Sequence, residues 1–313
     1  MKPELISIVI PVYNSSQIIF ELNNQISNSI GNKLLYEVIF VNDGSRDESW
    51  LKIKELATNL KNVVGINLKK NAGQDNAILA GLRIAKGDYV VIMDDDLQHS
   101  PSEILNLYNK CIKGYDVCFA SFRKSKHNPL KKAGSEFNGK LAEILLAKPK
   151  GIYLSPYKII NKSTVLEIIK FAGPYPYIDG IILTITQNFS QIFIEHSDRY
   201  SGKSNYNLSK SVSVFMKLFT GFSVAPLRIA TIVGIGSTFF GFCLSLKYLY
   251  DYFILKNYIE GWTTVVVLII FLGGLILTTL GIIGEYLGRM YLTINNKPQY
   301  SISEIVRYKT HVE

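Results

Sequence analysis

The sequence predicts an α/β domain built on a mostly parallel sheet, followed by a hairpin of two transmembrane helices. Three observations lead there. Short apolar runs alternate with helical patterns between residues 5 and 121. Four of those runs end in polar residues, and two long stretches without charge come later in the chain.

The runs are "LISIVIPVY" (5–13), "YEVIFVND" (36–43), "VVGINL" (63–68), "YVVIMD" (89–94) and "YDVCFAS" (115–121). Each is continuously apolar rather than alternating, which suits strands buried on both faces of a sheet. Helical stretches lie near 16–29, 46–59, 74–86 and 102–113, with Ser45 and Ser100-Pro101 as helix starts. Strands and helices at this spacing form right-handed βαβ units and hence a mostly parallel sheet.

A length of 313 residues admits one large domain or two smaller ones, and the uneven spread of charge decides between them. "IATIVGIGSTFFGFCLSL" (229–246) and "WTTVVVLIIFLGGLILTTLGIIG" (262–284) carry no charge. Each is about the 20 residues a helix needs to cross a hydrocarbon core of about 30 Å, and neither shows the polar face of a core helix. We therefore expect a domain over 1–225, two spans within 226–290 (about 228–250 and 262–285), and a tail over 291–313. The segment 210–225, containing "FMKLFTGFS", is apolar and basic. It reads as an interfacial helix or as the start of the first span.

Lys210, Lys217 and Arg228 precede the first span, and Arg289, Lys297, Arg307 and Lys309 follow the second. Charges in the short link nearly cancel. The positive-inside rule then places both termini in the cytoplasm and the chain in the cytoplasmic membrane as a multi-pass protein. "MKPELISIVIPVYN" has no long apolar core and already reads as a strand, so no signal peptide is expected. Cys111, Cys118 and Cys243 lack metal-like spacing and are expected as reduced thiols. The net charge of +9 fits attraction to anionic headgroups, and no nucleic-acid partner is expected. Gly234, Gly236, Gly273 and Gly274 in the spans would permit close helix packing in a homo-oligomer.

In a sheet of this kind ligands bind beyond the carboxyl ends of the strands. Those ends read Tyr13-Asn14, Asn42-Asp43-Gly44-Ser45, Lys69 to Gly73 and Asp94 to Gln98. Four polar ends on one edge predict a pocket for a polar ligand. Asp94, Asp95 and Asp96 cannot share a low-dielectric pocket as anions without a counter-charge. A hard divalent cation, Mg²⁺ or Mn²⁺, shared with a diphosphate would supply it; a solvated acidic loop is the bland alternative. Alternation along an extended segment would put Asp94, Asp96 and Gln98 on one side as metal ligands and Asp95 on the other. Asp43 suits an Asp-Gly turn as well as ligand contact, and both can hold.

"IVIPVYN", "VIFVNDGSRDES", "NAGQDNAILAGLRIAKGDYVVIMDDDLQHSP" and "DRYSGKSNY" resemble the family 2 glycosyltransferases. Within them the chain is most similar to the polyprenyl-phosphate glycosyltransferases. The resemblance implies a GT-A, Rossmann-like domain. It implies that Pro11, Tyr13 and Asp43 contact base and ribose, and that Asp94, Asp96 and Gln98 hold metal and diphosphate, with Asp95 beside them. It implies that Arg199 lies near the donor diphosphate with Ser204 in the same motif. For the acceptor phosphate it implies an arginine and a serine, where this chain offers Lys131 or Lys132 and Ser135. Lysine supplies a point charge but not the bidentate fork of arginine. Asp179, in "PYPYIDG", lies where many relatives carry a base, and a capping aspartate would look the same.

The reaction so implied is metal-dependent, inverting transfer of a sugar from a nucleotide diphosphate, the uridine one being the family's commonest, to a polyprenyl phosphate such as undecaprenyl phosphate. Asp96 and Arg199 would serve the leaving group. Two other readings stay open: transfer to a sugar hydroxyl in a surface polysaccharide, and a silent membrane scaffold. The "QxxRW" motif of processive synthases is missing, and the missing "GxGxxG" after the first strand disfavours a dehydrogenase.

Overall fold

The strand β1 (Leu5–Val12) is buried along almost its whole length and pairs in parallel with β2 (Leu35–Asn42) on one side. On its other side lies β4 (Tyr89–Ile92), also parallel, and β3 (Val63–Leu68) continues the parallel set beyond β2. Their crossovers are the helices α1 (Ile19–Ile30), α2 (Ser49–Asn59) and α3 (Gln74–Ile84). A computed structural model of the protein, from which these elements are taken, describes residues 4–122, 149, 151–173, 175–194, 225–254, 261–295 and 298–308.

Burial on both faces explains the unbroken apolar runs. Ile6, Ile8 and Ile10 point to a cluster with Ile19, Leu22 and Ile26 of α1, Ile53 of α2, and Ile104 and Leu107 of α4 (Ile104–Cys111). Val9, one residue out of phase, faces α3, where Gly81 is close enough that an added Cβ would lie 2.4 Å from Val9 Cγ1. Gly81 is therefore a packing glycine between helix and sheet.

The strands β5 (Val117–Phe122), β6 (Lys158–Asn161) and β7 (Phe189–Ile194) complete one side of an eight-stranded sheet. Its order is β7-β5-β6-β4-β1-β2-β3-β8. β6 inserts between β4 and β5 antiparallel to both, so the fifth strand is not the neighbour of the fourth that simple βαβ winding would give. Two short helices follow β6, α5 (Lys162–Ile168) and α6 (Ile178–Ile185). Asn161 caps α5 by accepting the Thr164 N–H at 2.9 Å.

The helices α7 (Ala225–Phe253) and α8 (Trp262–Ile294) form a second unit. Phe271–Ile294 is long and apolar enough to cross a membrane, and Ala230–Cys243 is a shorter apolar stretch. Large apolar side chains such as Phe239, Phe242, Ile269 and Leu277 are exposed on these helices. The stretch expected as a tail holds a further strand, β8 (Ile302–Arg307), which pairs antiparallel with β3 and closes that edge of the first unit. Of the expected segment 210–225, all but Ala225 lies outside the described residues.

Candidate active site

Because β1 to β4 run in parallel, their carboxyl ends share one edge, and the polar ends meet there. Side chains of the second loop satisfy backbone N–H groups of the first. Ser45 Oγ accepts from Asn14, Ser49 Oγ from Ser15 and Asp47 from Ser16, each at 3.0 Å. Asn14 Oδ1 returns the favour by accepting the Arg46 N–H at 2.8 Å. Much of the polarity of "VYNSS" and "NDGSRDES" is thus structural. Gly44, at φ 65°, brings the second loop against the third, since a Cβ there would lie 2.5 Å from Asn71 N.

These loops surround a cavity of about 420 Å³. Six of the residues expected from the sequence line it together: Pro11, Tyr13, Asp43, Asp94, Asp95 and Asp96. Asn71, Gly73 and Gln74 join them from the loop before α3 and its first turn. Asp43 is buried and accepts the N–H groups of Ala72 at 2.6 Å and Gly73 at 2.9 Å, so its carboxylate anchors the entry to α3. Burial pushes the Asp43 carboxyl above its ordinary value, against the pull of those two donors. Tyr13 presents an exposed ring at the rim.

The acidic loop departs from the expected geometry. The strand ends at Ile92, so Asp94 to Gln98 are not extended, and Leu97 takes φ 58° with its side chain buried. Alternation therefore fails: Asp95 lines the cavity with Asp94 and Asp96 instead of facing away. Gln98 is not among the lining residues, and its N–H donates to Asp96 Oδ1 at 3.1 Å. Beneath the loop, His99 stacks on Tyr157 with ring centroids 5.0 Å apart, and Tyr157 donates to the Ser100 carbonyl at 3.0 Å.

Crowding of like charge is visible at Asp94. Burial, then repulsion from Asp96 and Asp95, raises its carboxyl to about 7, and the Lys158 charge and the Gln74 amide oppose that rise. Gln74 Nε2 donates to Asp94 Oδ1 at 2.7 Å. Lys158, in β6, is almost wholly buried and forms an ion pair with Asp179 in the first turn of α6. Sequence reasoning missed Lys158; the only signal is one charge inside the apolar strand "YKIIN". Gln74 was within reach, since it stands in the quoted "NAGQDN".

Among the described residues, no three His, Cys, Asp or Glu side chains are grouped to hold a metal ion alone. The donors at the cavity nevertheless fit Mg²⁺ or Mn²⁺. Such ions take one or two carboxylates and leave the remaining positions to phosphate oxygens and water. A carboxyl that resists ionising beside two others is a site lacking positive charge.

Residues 7–170, more than half of the chain, match the family model described as glycosyl transferase family 2. The chain belongs to that family. This glycosyltransferase is 31% identical to the undecaprenyl-phosphate 4-deoxy-4-formamido-L-arabinose transferase of Shewanella sediminis, over 97% of this chain and 93% of that one. It is 32% identical to the putative glycosyltransferase CsbB of Bacillus subtilis, again over 97% and 93%. In fold it resembles the glucosyl-3-phosphoglycerate synthase of Mycobacterium tuberculosis, solved with Mn²⁺, uridine diphosphate and phosphoglyceric acid. There the TM-score is 0.52 at 18% identity, covering 69% of this chain and 76% of that one. The family 2 domain has the GT-A type of fold, with its mostly parallel sheet. Of the glycosyltransferase residues expected at the site, Arg199, Lys131, Ser135 and Ser204 lie outside the described residues.

Proposed function

We propose that this glycosyltransferase moves a sugar from a nucleotide diphosphate, a uridine one by the family's commonest usage, to a polyprenyl phosphate at the cytoplasmic face of the membrane. The observation that carries the reading is the cavity where Pro11, Tyr13 and Asp43 meet the three carboxylates of Asp94, Asp95 and Asp96. One side offers an exposed aromatic ring and backbone groups for a base and ribose. The other offers hard anionic oxygens. A nucleotide diphosphate joined to a divalent cation matches both ends. The fold relative's Mn²⁺ and uridine diphosphate, and the undecaprenyl-phosphate named in the sequence relative, support the two substrate classes.

Asp94 and Asp96 would hold Mg²⁺ or Mn²⁺, with Asp95 beside them. When bound, the ion supplies charge stabilisation to the leaving diphosphate. Asp43 fixes the Ala72–Gly73 backbone and so orients Gln74 at the rim. Gln74 in turn orients the Asp94 carboxylate. Arg199, with Ser204 in the same motif, is proposed to serve the donor diphosphate, and Lys131 and Ser135 the acceptor phosphate. Attack on the face opposite the diphosphate inverts the anomeric centre.

Strand β8 bears on membrane topology. Residues before and after the helical unit share one sheet, through pairs such as Val64 with Arg307 and Ile66 with Ile305. A chain that leaves and rejoins one sheet must cross a membrane an even number of times. That supports two spans, α7 and α8, over one, with both termini on the cytoplasmic side.

The test is transfer from a panel of nucleotide sugars to undecaprenyl phosphate by purified protein in detergent, with Mn²⁺, Mg²⁺ or EDTA. A metal-dependent lipid-phosphate sugar is expected with one donor, and Asp96→Ala should lower its rate at least a hundredfold, the scale of a lost leaving-group stabiliser. No lipid product with any donor, while nucleotide still binds, would leave a hydroxyl acceptor as the better reading.

A further inference from the structure

Lys158 is an unusual occupant of a strand interior. It pairs with Ile92 of β4 on one side and Phe119 of β5 on the other. It is 3 % exposed, and its ammonium lies 5.6 Å from the centroid of the Phe119 ring. Lysine is almost never buried so far without a partner, and the partner here is Asp179 Oδ1. Asp179 is itself largely buried, at 15 %.

The pair lies close to the site. The Ile178 N–H donates to Asp75 Oδ1 at 3.3 Å, and the residue before Asp75, Gln74, donates to Asp94. The Lys158 charge is felt at Asp94. Tyr177, beside Asp179 and Asp75, is a further ionisable neighbour among the described residues. Asp179 is the one carboxylate of α6, and the buried Lys158 ammonium occupies its Oδ1. Opening such a pair strands two uncompensated charges.

We propose that Lys158 is a positioning residue that sets acceptor choice: by holding Asp179 in an ion pair it denies the site a general base. The proposal rests on the transferase reading above. Transfer to water would form a bond from the water oxygen to the anomeric carbon and break the bond from that carbon to the β-phosphate oxygen. It would also move a proton from the water to a carboxylate. A phosphate monoester, whose second ionisation lies near pH 6, makes the same displacement with no proton to move. Lys158 therefore confines the sugar to acceptors that arrive ionised and protects the donor from hydrolysis.

The full chain in detergent tests this through two rates, nucleotide release without lipid and lipid-sugar formation. Lys158→Met is expected to raise hydrolysis relative to transfer by roughly tenfold or more, a fraction of what a positioned base supplies. Lys158→Arg is expected to keep the native ratio, and adding Asp179→Asn to Lys158→Met to restore it. An unchanged ratio in Lys158→Met that still binds nucleotide overturns the proposal, as does an increase that survives Asp179→Asn. Should Lys158→Met fail to fold, the pH profile of Asp179→Asn decides. The acid limb of kcat/KM should persist, because it belongs to the acceptor phosphate. Loss of that limb, or of transfer altogether in folded protein, makes Asp179 the base and ends the proposal. Native protein that transfers to no lipid phosphate defeats the transferase reading instead, while the hydrolysis comparison still judges Lys158.

Discussion

Asp94 carries the electrostatic cost of the site. Its carboxyl is raised from 3.8 to about 7 by burial and by Asp96 and Asp95. Between those values the native metal-free protein holds a proton that the unfolded chain has released. Stability must then fall as pH rises through that window, the reverse of a salt-bridged aspartate. Metal binding needs the ionised form, so its affinity rises with pH by up to about tenfold per unit below 7. In EDTA the thermal midpoint should drop between about pH 4 and pH 7. Added Mn²⁺ should restore more of it at the higher pH, and Asp94→Asn should flatten both trends. A Mn²⁺ shift equal at the two pH values would contradict this account. The acidic residues were legible because polar ends on four buried strands mark an edge. The side each one faces was not, because Leu97 adopts a left-handed conformation that no glycine announces. Lys158 was illegible for another reason: its partner stands 21 positions away in sequence, and a lone lysine does not name it.

At the scale of elements, α3 links the core to the site. Its residues Asn76 to Leu82 are all buried, while Gln74 reaches the cavity. Gly81 sets how closely the helix lies on the sheet. Alanine there gains about 1 kcal/mol of helix propensity. Its Cβ would stand 2.4 Å from Val9 Cγ1 and 3.2 Å from Val41 Cγ2, and both valines are fully buried. Overpacking of that kind costs about 1–3 kcal/mol, so the clash should win. Gly81→Ala is expected to lower the urea midpoint with an unchanged slope, and to weaken nucleotide binding as Gln74 shifts. A midpoint equal to or above the native one would show that the sheet yields freely. The four parallel strands and their helices were readable because doubly buried strands leave long apolar runs. β6 was not, because four residues, "KIIN", give no period, and its antiparallel insertion is dictated by pairing with β4 and β5.

The whole molecule is closed by residues far from its beginning. β8 adds five register pairs to the free edge of β3, from Val64 with Arg307 to Leu68 with Ile302. Ser301 accepts the Lys69 N–H at 2.8 Å, in the loop that leads to Asn71 at the cavity. Arg83, at the far end of α3, donates to Tyr300 Oη at 2.9 Å and to Gln299 Oε1 at 3.1 Å. The Lys54–Glu304 ion pair is exposed on both sides and adds little. The ladder matters more. At about 1 kcal/mol net per hydrogen bond its loss approaches a large share of the roughly 5–15 kcal/mol that holds a domain together. It also bares an edge ready to pair with another chain. A chain ended after Asn295 keeps every cavity residue and both apolar helices, yet it should melt lower, aggregate sooner and bind nucleotide more weakly than the full chain. Melting and nucleotide titration of the two proteins side by side would decide it. If the shortened chain matched the full one in both, β8 would be an ornament on the edge, and the even-crossing constraint would lose its support.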